Sequence, residues 1–425
     1  MVKGMGEMKD KKKPLAAVVS CVFPPEPVVS ARTSQDIAAG LAGCGYEVMV
    51  VAPYPSRPGG RIYPNFRRRL LPHSAHSHRY TVTRTYSIPS AKSTRSSRFI
   101  ENISFGISSA AYLLFARRPK VIYANSWPVF ASGLLSLVAG LRRIPYVVVV
   151  QDVYPESYYE QGRGDRKSRS YRLMRWIDQQ VARRAAHVVV LSEAFARTYR
   201  EDRGVPASHI SIIPNWAEKS ADLGEPAARD GEAAALRHSA GVPADAFAVA
   251  YGGNIGVAAG VETLMDALNE LEDVHGLVAG EGSSLSACRV IAQGNRRVHF
   301  ITPWPAEQTV PLYRAADVLV LPTQGNQSLS SVPSKLIHYM LSGRPVIAAG
   351  LPGSEMINII ETSGCGWWVP PDQPQALAEK IRQVRQLSPE ELRKRGEAGR
   401  RYAMANFTSQ TCLPKVIHII ERAAK

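Results

Sequence analysis

From residue 14 onward the chain alternates short apolar runs of strand length with amphipathic segments of helix length, and it runs through that alternation twice. The first series has strand candidates over 16–21, 48–52, 80–85, 121–124, 146–151 and 187–191, with helices expected at 34–44, 105–116, 131–141 and 173–184. Pro214-Asn215-Trp216 closes it, and the polar stretch 218–245, rich in Ala, Glu and Asp, reads as a linker plus an early helix. The pattern then restarts. Strands are expected at 247–252, 276–279, 298–301, 318–321, 345–348 and 366–369, and helices at 260–272, 285–293, 307–315, 334–341 and 375–387. Alternation of this kind implies a mostly parallel sheet covered on both faces. At 425 residues the chain is too long for one ordinary core. The expected fold class is therefore α/β, with two doubly wound, Rossmann-like domains in series over 14–216 and 217–399. Residues 1–13 read as a disordered basic tail, and 400–425 as a helix without a following strand that crosses back onto the first domain.

Composition removes several classes. The cysteines (Cys21, Cys44, Cys288, Cys365 and Cys412) show neither pairing nor metal-ligand spacing, which favours a reducing cytosol and no metal site. Lys11-Lys12-Lys13 before the apolar run 15–23 imitates an export signal, but the run ends in Pro24-Pro25 and reads as a buried strand. The longest apolar region is broken by Arg117-Arg118-Pro119-Lys120 and by Arg142-Arg143, so no membrane-spanning segment is expected. The net charge is +16, and between Glu47 and Glu101 there are ten Lys or Arg and no acid. Such a stretch attracts phosphates of nucleic acid, anionic lipid or a diphosphate-bearing substrate. Nucleic acid is the weakest of these, because no recognition helix or RNA-binding pattern surrounds the patch. A solvated basic loop is as strong a reading as membrane contact.

In open parallel sheets ligands bind beyond the carboxyl ends of the strands, and two facing domains would place the site between them. The second series opens with Tyr251-Gly252-Gly253-Asn254-Ile255-Gly256 directly after its first strand, and Gly280-Glu281-Gly282 follows the next. Glycines there let backbone N–H groups approach a diphosphate, although each could equally be a tight turn. A polar loop follows the strand at 318–321, and Pro333-Ser334-Lys335 then opens a helix. The free N–H groups of that turn, the Ser334 hydroxyl and the Lys335 ammonium form a candidate phosphate cradle, the alternative being a capped helix with a surface lysine. In the first series the acceptor-side candidates are Glu26 after strand one, Arg32 shortly before the next helix, Asn125 at a strand end, and Glu156. Gln151 and Asp152 follow the buried valine run, where Asp152 could take a proton from an acceptor hydroxyl or simply cap a helix.

Together, Tyr251 to Gly256, Val278 to Gly282, Asp317 with Leu321-Pro322, and Pro333 to Val346 resemble the retaining family-four glycosyltransferases of the GT-B fold. Phe23 to Glu26, Gln151 to Ser157, Leu191-Ser192-Glu193 and Ile213 to Trp216 are most similar to the subgroup that assembles bacterial surface polysaccharides, colanic-acid and O-antigen fucosamine transferases among them. The resemblance implies that Gly253, Asn254, Gly256, Ser334 and Lys335 lie near a donor diphosphate, with Pro303 and Trp304 framing the base and Glu281 elsewhere on the donor side. It places Gln151 where many relatives carry a histidine near the reacting centre. The family's paired glutamates would fall on Ser330, facing the transferred sugar, and His338, facing the ribose.

The implied activity is transfer of a sugar from a nucleotide-diphosphate sugar, a UDP-sugar by default, with retention. The acceptor would be a lipid-diphosphate-linked or surface-polysaccharide precursor, and no metal or other cofactor is expected. The chain would work in the cytoplasm, peripheral on the inner face of the membrane, without nucleic acid. The alternatives are a non-catalytic scaffold that keeps the fold, a transferase for a soluble natural product, and a two-domain nucleotide-sugar epimerase.

Overall fold

The computed structural model describes residues 13–57, 59–90, 95–157, 166–217, 229–325 and 333–425. The chain divides into two compact units. One takes the residues up to Val190 with 195–213 and 413–425, and the other takes 191–194 and 214–412.

In the first unit the strands are β1 (Leu15–Val19), β2 (Glu47–Pro53), β3 (His73–His76), β4 (Thr81–Thr85), β5 (Val121–Asn125), β6 (Tyr146–Val150), β7 (His187–Val190) and β8 (Ile210–Ile212). They form one sheet in the order β3-β4-β2-β1-β5-β6-β7-β8, parallel except for β3 against β4. The central strands are covered on both faces, which is why β1, β5 and β6 are buried at every position and read as unbroken apolar runs. The helices are α1 (Val29–Gly43), α2 (Arg95–Phe115), α3 (Val129–Leu141), α4 (Arg169–Arg184) and α5 (Glu193–Glu201). Two strands differ from expectation by being present at all. β3, His-Ser-Ala-His, is wholly exposed at the sheet edge, and β8 has three residues, so neither carries an apolar run. α2 begins ten residues before the expected start at 105, because its polar first turns are held by tertiary contacts. Phe99 packs edge-on against Phe130 of α3 at 5.1 Å, and the Ser104 hydroxyl accepts from the Ile88 N–H.

The second unit contains α6 (Asp230–Ser239), β9 (Phe247–Gly252), α7 (Val261–Asn269), β10 (Val274–Ala279), α8 (Leu285–Ile291), β11 (Val298–Ile301) and α9 (Thr309–Ala315). It continues with β12 (Val318–Leu321), α10 (Ser334–Leu341), β13 (Val346–Ala349), α11 (Glu355–Ser363), β14 (Gly366–Val369) and α12 (Pro374–Arg385). Its six strands are all parallel, in the order β11-β10-β9-β12-β13-β14. Two cores sandwich the sheet. Ala248, Ala250 and Leu319 face one of them, and Val249, Tyr251 and Val320 the other. The chain reverses its direction of travel between β9 and β12, so this pair of strand ends is the switch point where such sheets bind ligands.

The C-terminal segment departs from the expectation of one helix over 400–425. α13 (Pro389–Asn406) opens with a capping box between Ser388 and Glu391, and α14 (Ser409–Ala423) follows after a break at Phe407. α13 belongs with the second unit, where Gly396 lies so close to the Gly343 carbonyl that a Cβ would stand 2.0 Å from it. Only the chain from Leu413 onward belongs to the first unit, with Leu413 and Ile417 against Gly40 of α1.

Candidate functional site

In the second unit the loops after β9, β10 and β12 are tied together through their backbones. Gly253 N–H donates to the Ala279 carbonyl at 3.0 Å, Ile255 N–H to the Glu281 carbonyl at 2.8 Å, and Gln324 N–H to the Ala258 carbonyl at 3.3 Å. These approaches leave no room for side chains. At Gly280, with φ at 133°, a Cβ would lie 1.9 Å from the Gly253 carbonyl oxygen. The result is a shallow bed of main chain at the switch point, with Asn254 and Glu281 exposed on it and Gly256 half-buried.

Lys335 reaches this bed from the first turn of α10, whose N-cap, Pro333, makes no side-chain capping bond. Its ammonium donates to the Tyr251 hydroxyl, lies 3.4 Å from the Asn254 carbonyl oxygen, and sits 4.6 Å from the centre of the Tyr251 ring. The Tyr251 hydroxyl in turn donates to the Asn254 carbonyl at 2.6 Å. Gly253, with φ at 144°, makes room for this side chain: a Cβ there would stand 2.1 Å from the lysine Cε. Among the described residues no carboxylate forms an ion pair with Lys335. Burial among neutral groups pulls its pKa down from 10.5 to about 8. The lysine is a cation held ready without a carboxylate beside it.

The neighbouring donor-side candidates fall around it. Ser334 is exposed on the same turn. His338, one turn further, has its Nδ1 2.7 Å from the Ser334 carbonyl oxygen, which makes Nδ1 a donor to that carbonyl. Trp304 stands beside the end of β9, its ring edge 3.1 Å from where a Gly252 Cβ would be, and its indole N–H is buried without a partner among the described residues. Pro303 is exposed and lines a cavity of about 960 Å³ with Arg229, His299 and Glu307. Ser330 lies outside the described residues. The 840 Å³ cavity of this unit opens at the amino end of the sheet, at Phe247, Asp317 and Arg344, away from the glycine loops.

The first-unit candidates divide in two. Glu26 is 5% exposed, and its carboxylate accepts from the backbone N–H groups of Phe23, Ser56 and Arg57. Asn125, also buried, donates to Ser20 Oγ at 3.0 Å and accepts from the Tyr123 hydroxyl. Glu156 accepts both bonds of Arg203 Nη2, at 2.8 and 2.7 Å, and Arg203 is fully buried with its Nε on Asp178. The polar atoms of these three are bonded within the unit and hold loops in place. Arg32 is exposed on α1. Gln151 is half-buried at the end of β6. The adjacent Asp152 keeps more than a third of its surface open, yet crowding of its carboxyl raises its pKa above the ordinary value.

Two arrangements escape a reading of the sequence. Tyr251 stands inside the glycine segment, where the glycines are the only signal, and its hydroxyl seats the lysine. Arg57 lies over the Trp127 ring at 4.9 Å and pairs with Glu101 at 3.5 Å, near the ends of β2 and β5. No local pattern in sequence links those three residues.

A nucleotide-type bed at the switch point of one doubly wound sheet, following another doubly wound unit, defines the GT-B class of glycosyltransferase. Residues 30–216 match the glycosyl transferase 4-like domain, and residues 246–386 match the glycosyl transferases group 1 domain. The chain belongs to this glycosyltransferase family. It is similar to the probable glycosyltransferase WbjE of Pseudomonas aeruginosa, 26% identical over 71% of this chain and 74% of that one. It is also similar to the putative colanic acid biosynthesis glycosyl transferase WcaI of Escherichia coli K12, 24% identical over 94% and 97%. Among solved structures, Anabaena Alr3699/HepE in complex with UDP shares the fold with a TM-score of 0.68 and 15% identity, over 96% of this chain and 99% of that one.

Proposed function

We propose that the chain transfers a sugar from a nucleotide-diphosphate sugar, a UDP-sugar by default, to a lipid-diphosphate-linked precursor of a surface polysaccharide. The observation that carries this reading is the Lys335 ammonium, half-buried, without a carboxylate partner among the described residues and seated against Gly253 and the Asn254 carbonyl in the glycine loop after β9. A diphosphate supplies the missing negative charge. As the bond between the anomeric carbon and the diphosphate oxygen breaks, charge grows on the leaving oxygens. Lys335 and the N–H groups of the α10 first turn then stabilise that charge more than they stabilise the ground state. The acceptor hydroxyl attacks the same face with retention, and its proton passes to the leaving diphosphate. His338 stands on the same helix as Lys335 to contact a ribose hydroxyl, and the Trp304 N–H, unpartnered among the described residues, offers a donor to the base. The cation at the diphosphate is Lys335 rather than a metal, so turnover persists in chelator.

Two relatives support the donor and acceptor classes respectively: HepE is solved in complex with UDP, and WcaI is named for colanic acid biosynthesis. The reaction would take place at the cytoplasmic side of the membrane, without nucleic acid. Thermal shift across a panel of nucleotides tests the donor half. A nucleoside diphosphate at a hundred times its Kd stabilises by about 2.7 kcal/mol, and uridine should give little shift. A flat panel at millimolar ligand would overturn the donor assignment.

A further inference from the structure

Helices α2, α3 and α4 lie side by side. A Cβ at Gly106 of α2 would stand 2.8 Å from the Ala131 Cα of α3, and one at Gly133 of α3 would stand 2.8 Å from the Ile177 side chain of α4. The outward side of such a helical layer is ordinarily polar. Here it is apolar. Along α2, Ile100, Ile103, Ile107, Ala111 and Leu114 recur at spacings of three and four and share one stripe. Ile107 is 58% exposed, and Phe115, at the helix end, 85%. α3 carries no charged residue, and its Leu137 and Leu141 are exposed. α4 adds exposed Leu173 and Trp176. Of the sixteen large apolar side chains exposed among the described residues, nine belong to these three helices, so the exposure is segregated rather than scattered.

Cations surround this patch. Arg169 and Arg172 are exposed on α4 beside Leu173 and Trp176. Arg118 and Arg142, after α2 and α3, donate to backbone carbonyls, and among the described residues neither forms an ion pair with a carboxylate. The loop Arg67-Arg68-Arg69-Leu70-Leu71 adjoins α2. Arg68 lies 5.2 Å over the Tyr86 ring, and the Tyr86 carbonyl accepts from Ser108 of the helix. Leu70 and Leu71 are almost fully exposed.

We propose that this face docks on an anionic bilayer, its apolar side chains entering the interface and its arginines meeting lipid phosphates. Charge selects that occupant. A second copy of the same face would oppose arginine to arginine in an isologous contact, whereas an anionic bilayer complements them. No helix among the described residues is long and apolar enough to cross a membrane, so the contact is peripheral. The proposal deepens the membrane-side reading above and rests on it.

The test is co-sedimentation of the full chain, without substrates, on vesicles of phosphatidylcholine alone and of phosphatidylcholine with phosphatidylglycerol. Wild type should partition onto the anionic vesicles and release as salt rises. One variant combines Ile107→Asn, Leu137→Asn and Trp176→Ser, and should lose at least about tenfold on both lipids. A second combines Arg67, Arg68, Arg69, Arg169 and Arg172, each to Ser, and should lose binding to the anionic vesicles alone. All these side chains are exposed, and melting curves report whether the fold survives; should the apolar variant fail to fold, the arginine variant carries the test. Wild type remaining in the supernatant on both lipids would overturn the proposal, as would wild-type partitioning of either variant. A wild-type dimer that the apolar variant converts to monomer would make the face a self-interface instead. Turnover on a detergent-dispersed acceptor is scored separately, so the transferase reading stands or falls independently of lipid binding.

Discussion

Replacing Lys335 by Met should make the protein more stable and a much poorer enzyme. Met fills a similar volume and carries no charge. In the folded chain the Lys335 pKa falls from 10.5 to about 8. At 1.36 kcal/mol per unit, that is at most about 3.5 kcal/mol of destabilisation while the lysine is charged. Partial exposure trims the figure, and so does the lost bond to the Tyr251 hydroxyl, leaving about 1–2 kcal/mol of gain. For a unit of this size the Tm should rise by about 2–8 °C at pH 7. The sign follows from linkage. Between the folded value near 8 and the unfolded value of 10.5 the unfolded chain binds more protons, so wild-type stability rises with pH across that window. The penalty is complete below pH 8 and gone above 10.5, so the advantage of the Met variant should shrink as pH rises. Donor binding should run the other way. A diphosphate needs the charged lysine, so wild-type affinity, measured calorimetrically, should hold below about pH 8 and weaken above it. The variant should bind weakly throughout and lose on the order of 10²-fold in kcat. A destabilised Met variant that keeps wild-type nucleotide affinity would refute the reasoning, because Lys335 would then be a structural cation.

Other positions offer independent checks. Gly253→Ala drives a Cβ into the space of the Lys335 Cε, 2.1 Å away, and should weaken donor binding about tenfold with the acceptor KM unchanged. Arg203→Met leaves the buried Asp178 and the carboxylate of Glu156 without their cation and should cost about 3–5 kcal/mol in denaturant unfolding. Glu156→Gln should likewise lower the Tm while leaving KM for both substrates unchanged, in keeping with its place in that cluster. Trp304→Phe removes a buried N–H that has no partner among the described residues, so stability should change by less than about 1 kcal/mol while nucleotide affinity drops.

Much of the architecture was readable because burial on both faces writes itself into the chain. Tyr146–Val150 is five apolar residues, all buried, and could hardly be anything but a central strand. Edges leave no such mark, and β3, which is polar and exposed, forms only because β4 offers a free side. The first turns of α2 and the break before α14 depend on long-range contacts that local periodicity does not contain. At the site, Lys335 stands out because glycine loops, a helix start and a cation coincide in sequence. The depressed pKa of that lysine, and its seat on Tyr251, required three dimensions. Glu26 and Asn125 show the opposite case. Their positions after strands suggested ligand contact, but the chain returns from 30 and 105 residues away to bond their polar atoms.

The central claim is that this chain breaks a nucleotide-sugar bond only to pass the sugar on. It is met most directly by measuring nucleoside diphosphate release from a panel of nucleotide sugars, with and without a lipid-diphosphate-linked acceptor, and by following the sugar into product. Transfer predicts release that depends on acceptor, one sugar gained by the acceptor for each diphosphate freed, and a product with the anomeric configuration of the donor. A sugar altered without acceptor would mark an epimerase, and absence of release under every pairing would mark a scaffold. Either result would contradict the account.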